Sequence, residues 1–266
     1  MMKYQIDTSE MNAAIQAALA AGAIAENYFR SDISAETKSN DTIVTIADRE
    51  CEAEILKILN RHFPSSSFAA EESGITGTSP EMIWHVDPID GTRNFANGIP
   101  MYAISIALEK NNQIQVGVVY HPSTKSLFYA AKDKGAFLND TKLSVSDYPA
   151  KQAMITITGS PEDKDQDIVR ELLHHMRRNV VRSVRDFSCC ALDLCYLASG
   201  GTEAAIVFGL SPYDFAAGLL IAIESGAEVT NITGQPYKFP NNYFIASNRE
   251  FHQDLVTGIE NFKSNT

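Results

Sequence analysis

Two carboxylates stand three residues apart in the stretch Asp87-Pro88-Ile89-Asp90-Gly91-Thr92. The apolar run before it (Met82, Ile83, Trp84, Val86) reads as a short buried strand that delivers Asp87 at its end. Pro88 has no N–H and a fixed φ, so the ladder is expected to stop there. Gly91-Thr92 leads into a short helical segment, Arg93 to Asn97. Hard divalent cations take carboxylate and carbonyl oxygens, and phosphates take the N–H groups of helix N-termini. One loop that offers both points to a metal-dependent phosphate site. The same string is also a good turn, because Pro presets φ and Gly accepts φ > 0.

Three further acidic stretches have ordinary readings of their own. Asp48 follows a β-branched strand, Thr42 to Ile46, and opens a helix toward Phe63, where it can act as a cap. Asp214 stands at the start of a helix, Phe215 to Ser225, with the same bland role open to it. Glu71-Glu72 before Ser73-Gly74 looks like a solvated turn at the end of a short strand, Ser67 to Ala70.

Taken together, the four stretches resemble a known family. Asp87-Pro88-Ile89-Asp90-Gly91-Thr92-Arg93-Asn94-Phe95 resembles the first signature of the inositol monophosphatases, which are Mg²⁺-dependent, lithium-sensitive phosphatases of small phosphate monoesters. Thr42-Ile43-Val44-Thr45-Ile46-Ala47-Asp48 resembles the family's Val-Thr-x-x-Asp, and Ala70-Glu71-Glu72-Ser73 its Gly-Glu-Glu-Ser. Tyr213-Asp214-Phe215-Ala216-Ala217-Gly218 resembles its Trp-Asp-x-Ala-Ala-Gly. The order and spacing match from about Met11 to Phe262.

The resemblance implies two to three Mg²⁺ ions. Asp87 would bridge two of them, Glu71 and the Ile89 carbonyl completing one and Asp90 and Asp214 the other, with a third ion leaning on Glu71. Two metals roughly 3.5–4 Å apart can hold the attacking and leaving oxygens of an in-line displacement. Asp48, Thr92 and Glu71 form the implied catalytic set, with Asp48 and Thr92 orienting the attacking water. On the substrate side it places Asp90, Gly91, Thr92, Ser188, Cys190, Phe208 and Asp214. Lys38 matches a lysine that the family keeps near the site.

Where inositol-specific members carry Gly-Thr-Ala-Ala and a later Glu, this chain has Ser188-Cys189-Cys190-Ala191 and Phe208. An apolar residue in place of an acceptor should relax discrimination between hydroxylated substrates. Tyr213 replaces the usual Trp. Inositol 1-phosphate-type esters are the first expectation; histidinol phosphate and fructose 1,6-bisphosphate, handled by relatives, are the alternatives. Asp193 could read an amine, against a surface or capping role. A different class is a regulatory protein associated with RNA or transcription that retains the fold.

With 33 acidic against 22 basic residues the net charge is −11. That argues against nucleic-acid binding, which needs Lys/Arg clusters. No apolar run reaches the roughly 18 residues of a membrane helix, and the N-terminus lacks a signal-peptide core. The four cysteines, Cys51, Cys189, Cys190 and Cys195, include no Cys-x-x-Cys, so reduced, buried thiols in a cytoplasmic protein are expected.

The elements that position the site read as an α+β or α/β chain. An Ala-rich helix runs from Met11 to Phe29, capped by Thr8 or Ser9. Ile75 to Pro80 reads as a flexible loop. Ala103–Glu109, Gln115–Tyr120 and Ser126–Ala131 read as antiparallel strands. After Tyr148-Pro149-Ala150 strands and helices alternate, with His174-His175 on a helix surface. Two intimate lobes, 1–148 and 149–266, follow from this pattern, the second contributing Asp214. The resemblance implies a layered α-β-α-β-α sandwich of the sugar-phosphatase type, a homodimer, and a small phosphorylated metabolite as partner.

Overall fold

The computed structural model describes residues 4–31, 35–37, 43–149, 152–160 and 163–265. Thr8 caps α1 (Ser9–Tyr28), its side chain accepting from the Met11 N–H. A small hairpin, β1 (Ala35–Thr37) with β2 (Ile43–Thr45), runs straight into α2 (Ile46–His62). Next come β3 (Ser67–Ala70), β4 (Gly74–Thr76), β5 (Met82–Asp90), the short α3 (Thr92–Ala96) and β6 (Ala103–Lys110). The meander continues with β7 (Gln113–His121), β8 (Ser126–Ala131), β9 (Gly135–Leu138) and β10 (Thr141–Lys142). These strands form an eight-stranded sheet in the order β10-β9-β8-β7-β6-β5-β3-β4. All its neighbours are antiparallel except β3 and β5.

The second half alternates. It contains β11 (Met154–Gly159), α4 (Asp163–Asn179), β12 (Ser183–Arg185), α5 (Cys190–Ala198), β13 (Ala204–Phe208) and α6 (Pro212–Glu224). It closes with β14 (Glu228–Asn231), β15 (Tyr243–Ser247) and α7 (Arg249–Asn265). Its five-stranded sheet has the order β12-β11-β13-β15-β14, and β11 is parallel to both neighbours.

Four apolar clusters separate five layers. Ile104, Ile106 and Leu108 of β6 pack with the alanines of α1 and with Ile55 and Leu59 of α2. On the other face of that sheet Ala103, Ala107 and Ala130 meet Ala216 and Ala217 of α6 and Leu192 of α5. The far sides of α5 and α6 join Ala205 and Val207 of β13. Ile206 and Phe208, on the opposite face of β13, pack against α4 and α7. The result is the α-β-α-β-α sandwich. Small residues let α6 lie very close: a Cβ on Gly117 of β7 would fall 2.6 Å from the Ala217 carbonyl oxygen.

Three expectations change. β5 does not stop at Pro88 but continues to Asp90. The register moves from Asp87↔Ser105 to Asp90↔Ala103, so β5 carries one residue more than β6 across that interval. Pro88, with no N–H to pair, and Ile89 occupy this bulge, which a proline tolerates. Gly74 to Thr76, expected as loop, pairs with β3 as an edge strand. The cap of α2 is Thr45 rather than Asp48. All four cysteines are free and buried. Among the described residues no helix is long and apolar enough to cross a membrane.

Candidate active site

The N-terminus of α2 begins the site. Thr45 and Asp48 form a capping box: Asp48 Oδ2 accepts from the Thr45 N–H at 2.8 Å and from its hydroxyl at 2.6 Å. Asp48 is therefore third in the helix and turned inward. Its other oxygen, Oδ1, lies 3.2 Å from the Thr92 hydroxyl. That hydroxyl is also 3.0 Å from the Ile89 carbonyl, and its single proton is shared between the two acceptors.

The β5 bulge supplies the next groups. Asp87 is buried, and its Oδ1 accepts from the Ile89 N–H at 3.0 Å. Asp90 Oδ2 accepts from the Ala191 N–H at 2.6 Å and from the Cys189 thiol at 3.2 Å, which ties the loop to the start of α5. Gly91 has φ 88°, and a Cβ there would fall 2.7 Å from the Met101 carbonyl oxygen, so only glycine fits. Asn94 donates to the Met101 and Phe187 carbonyls at 2.9 and 2.8 Å, bracing α3 across the two halves.

Glu71 directly follows β3, with its N–H bonded to the Val86 carbonyl at 3.1 Å. Glu52, one turn after Asp48 on α2, receives the next two N–H groups, Glu72 at 2.8 Å and Ser73 at 2.9 Å. Asp214 stands third in α6, where Ser211 caps the helix and donates its N–H to Asp214 Oδ2 at 2.8 Å. The close seat of α6 on β7 carries Asp214 to the acidic end of β5.

These carboxylates feel one another. Burial pushes Asp87 well above the usual carboxylate range, and the charges of Glu71, Asp90, Asp214 and Asp48 add to it. Burial raises Asp90 to about 6, opposed by its bonds from Ala191 and Cys189. Asp48 is also raised by burial, with the Thr45 bonds working against it. Like charges brought out of water stay protonated or take up a cation. The donors are all oxygen, as Mg²⁺ or Ca²⁺ requires. In this conformation no three described His, Cys, Asp or Glu side chains enclose a single ion-sized point.

A cavity of about 270 Å³ opens onto the group, lined by Glu71, Asp90, Gly91, Thr92, Ser188, Cys190 and Asp214. Ile43, Arg93, Thr158, Gly159, Asp186 and Leu210 complete its wall. Larger cavities lie beside α6 near Tyr237 and beside α2 near Arg49, but neither gathers the acidic cluster. Asp48, Asp87 and Ile89 sit buried behind the wall.

Phe208 is a correction: its side chain lies on the α4/α7 face of β13, ring to ring with Tyr243 at 6.1 Å, and does not line this cavity. Alternation along the strand turns it away. Asp193 is neither a surface nor a capping residue. It is buried and accepts from Thr158, with no partner for Oδ1 among the described residues. Lys38 and Thr42 lie outside the described residues. His174 is exposed, as expected, while His175 is half-buried against Phe262.

Sequence reasoning quoted Arg93 and Asn94 only as part of the signature and passed over Glu52, Thr158 and Asp186. Of these three Glu52 left a signal, its spacing of four from Asp48 on one helix face.

Comparison with known proteins adds the last observation. A sequence model of the inositol monophosphatase family matches residues 7–263. Nus factor SuhB of Haemophilus influenzae is 37% identical over 252 residues, spanning 92% of this chain and 94% of the relative. The inositol-1-monophosphatase of Mesorhizobium japonicum is 33% identical over 256 residues, spanning 94% and 96%. The solved structure of an inositol monophosphatase from Anabaena (Nostoc) sp. PCC 7120 superposes with a TM-score of 0.85 at 33% identity, covering 95% of each chain.

Proposed function

The chain belongs to the inositol monophosphatase family, a phosphatase family whose members are generally metal-dependent, and on that premise we propose that it hydrolyses a small phosphate monoester with Mg²⁺. The observation that carries this reading is Asp87, buried among the charges of Glu71, Asp90, Asp214 and Asp48. Such a cluster fits a cation better than it fits itself. Glu71, Asp87, the Ile89 carbonyl, Asp90 and Asp214 would hold two to three ions. Bound there, magnesium supplies charge neutralisation and polarisation of the phosphate.

The chain's own groups do the rest. The Thr92 hydroxyl, with Asp48 behind it, orients the attacking water. The N–H groups of Gly91 and Thr92 hold the phosphate oxygens. The ester's alcohol then lies toward Ser188 and Cys190. Lobe 149–266 completes the site of lobe 1–148 by contributing Asp214. Inositol 1-phosphate-type esters come first among substrates, with histidinol phosphate and fructose 1,6-bisphosphate next; phosphate release from a panel of the three ranks them. Lithium inhibition, a homodimer and a cytoplasmic setting go with the same reading.

Phosphate release with Mg²⁺, stopped by EDTA, is the primary test. Asp90→Asn should abolish turnover and weaken metal binding while leaving the fold intact; near-normal activity in that variant would sink the reading.

A second reading, a transcription-associated binding protein, is favoured by one observation, the name Nus factor SuhB carried by relatives such as that of Haemophilus influenzae. The net charge of −11 points such a role toward protein rather than RNA. A chain that releases no phosphate from any of the three esters with Mg²⁺ would favour it.

A further inference from the structure

Glu52 has no part in the chemistry above, yet it is buried, with only 4% of its surface exposed. A buried carboxylate is expensive unless its oxygens are bonded. Here each oxygen takes a different backbone N–H: Oε2 accepts from Glu72 at 2.8 Å and Oε1 from Ser73 at 2.9 Å. Those are the two peptide groups that follow Glu71. The Glu71 N–H itself is bonded to the Val86 carbonyl at 3.1 Å. The backbone is therefore fixed on both sides of Glu71, by the sheet before it and by Glu52 after it.

Glu52 is also four residues from Asp48, so both project from one face of α2. Asp48 reaches the Thr92 hydroxyl at one end of the site. Glu52 reaches the Glu71 turn at the other. One rigid helix thus spaces the water-orienting end of the site from the ligand-bearing turn.

We propose that Glu52 is a positioning residue for the metal site: by holding the Glu72 and Ser73 N–H groups it sets the direction in which Glu71 presents its oxygens to the ions. This rests on Glu71 being a metal ligand. Glu52 touches neither ion nor ester; it acts through the turn. Groups that orient a metal ligand in this way typically contribute 10–100-fold in metal affinity.

The test is Mn²⁺ binding, read by the electron paramagnetic resonance signal of the free ion, with Mg²⁺ titration calorimetry beside it. Glu52→Gln replaces one acceptor by an NH₂ that faces an N–H. It should weaken Mn²⁺ binding by about 10–100-fold, and turnover should recover at high Mg²⁺ with an unchanged KM for the ester. Should that variant fail to fold, Glu52→Asp keeps the charge but falls short of the turn, and its affinity should drop likewise. Glu54→Gln removes a charge from the same helix, from a residue paired with Lys57 at 2.7 Å, and should bind as wild type does. Wild-type affinity in either folded Glu52 variant would overturn the proposal, as would an equal loss in Glu54→Gln, which would make the effect one of charge alone. A wild-type chain that binds no Mn²⁺ would overturn both this proposal and the metal reading beneath it.

Discussion

Thr92 carries the sharpest test at the scale of a residue. Its hydroxyl has one proton and two acceptors, Asp48 Oδ1 at 3.2 Å and the Ile89 carbonyl at 3.0 Å. Were the Ile89 carbonyl to serve a cation, as proposed, the proton would be left to Asp48, and the Thr92 oxygen would be free to accept from a water. Thr92→Ser keeps that oxygen and should keep most of the turnover. Thr92→Ala removes it and should lower kcat by about 10²–10⁴, the usual worth of a positioned proton-transfer group. Mn²⁺ affinity should stay nearly the same in both variants, because the side chain is not among the proposed ligands. Equal kcat in the two variants would remove Thr92 from the mechanism. Asp48 explains why the bland and the functional readings of one residue need not compete. It satisfies the N-terminus of α2 through Oδ2 and serves Thr92 through Oδ1.

Elements decide whether the carboxylates meet at all. Asp214 depends on how tightly α6 lies on the first sheet, and that depends on Gly117 having no side chain. Gly117→Ala puts a methyl group 2.6 Å from the Ala217 carbonyl oxygen, which is backbone and cannot rotate away. The strain should lower stability by about 1–3 kcal/mol, and α6 should shift with Asp214 on it. Thermal unfolding and Mg²⁺ titration check both parts; a lower Tm with unchanged Mg²⁺ affinity would uncouple the seat of the helix from the site. The same scale shows what was legible in the sequence. Helix α1, the meander β6–β8 and the acidic loop follow from periodicity, turn residues and motif, because their signals are local. Phe208 did not, because a shift of one residue along a strand exchanges its two faces and only the packed sheet says which face is which. Pro88 misled in the same way: its missing N–H ends an ordinary ladder but is harmless in a bulge. The spacing of Glu52 from Asp48 showed its helix face but not its role, because its partners are backbone groups 20 and 21 residues away, which carry no residue type to match.

For the whole molecule, the proposed metal site would make stability depend on metal and pH together. Asp90 has a folded pKa of about 6 against an ordinary 3.8, and Asp87 and Asp48 are raised in the same direction. A carboxyl raised on folding contributes its full stability below pH 3.8 and loses it as pH rises through the folded value. Metal-free protein should therefore lose stability from these groups between about pH 4 and pH 7. A divalent cation bound there would need them ionised, so Mg²⁺ should compete with protons at the low end and offset the repulsion at the high end. The gap in Tm between Mg²⁺-saturated and metal-free protein should be small at pH 5 and grow toward pH 7.5. At a Mg²⁺ concentration 100 times Kd the ion adds about 2.7 kcal/mol, or roughly 5–10 °C for a chain of this size. Taking the gap at each pH cancels groups remote from the ion, such as His252, whose pKa burial lowers. In Asp90→Asn the gap should shrink and lose most of its slope. A gap that is flat across this range, or absent, would mean that the carboxylates gathered here are not gathered for a cation.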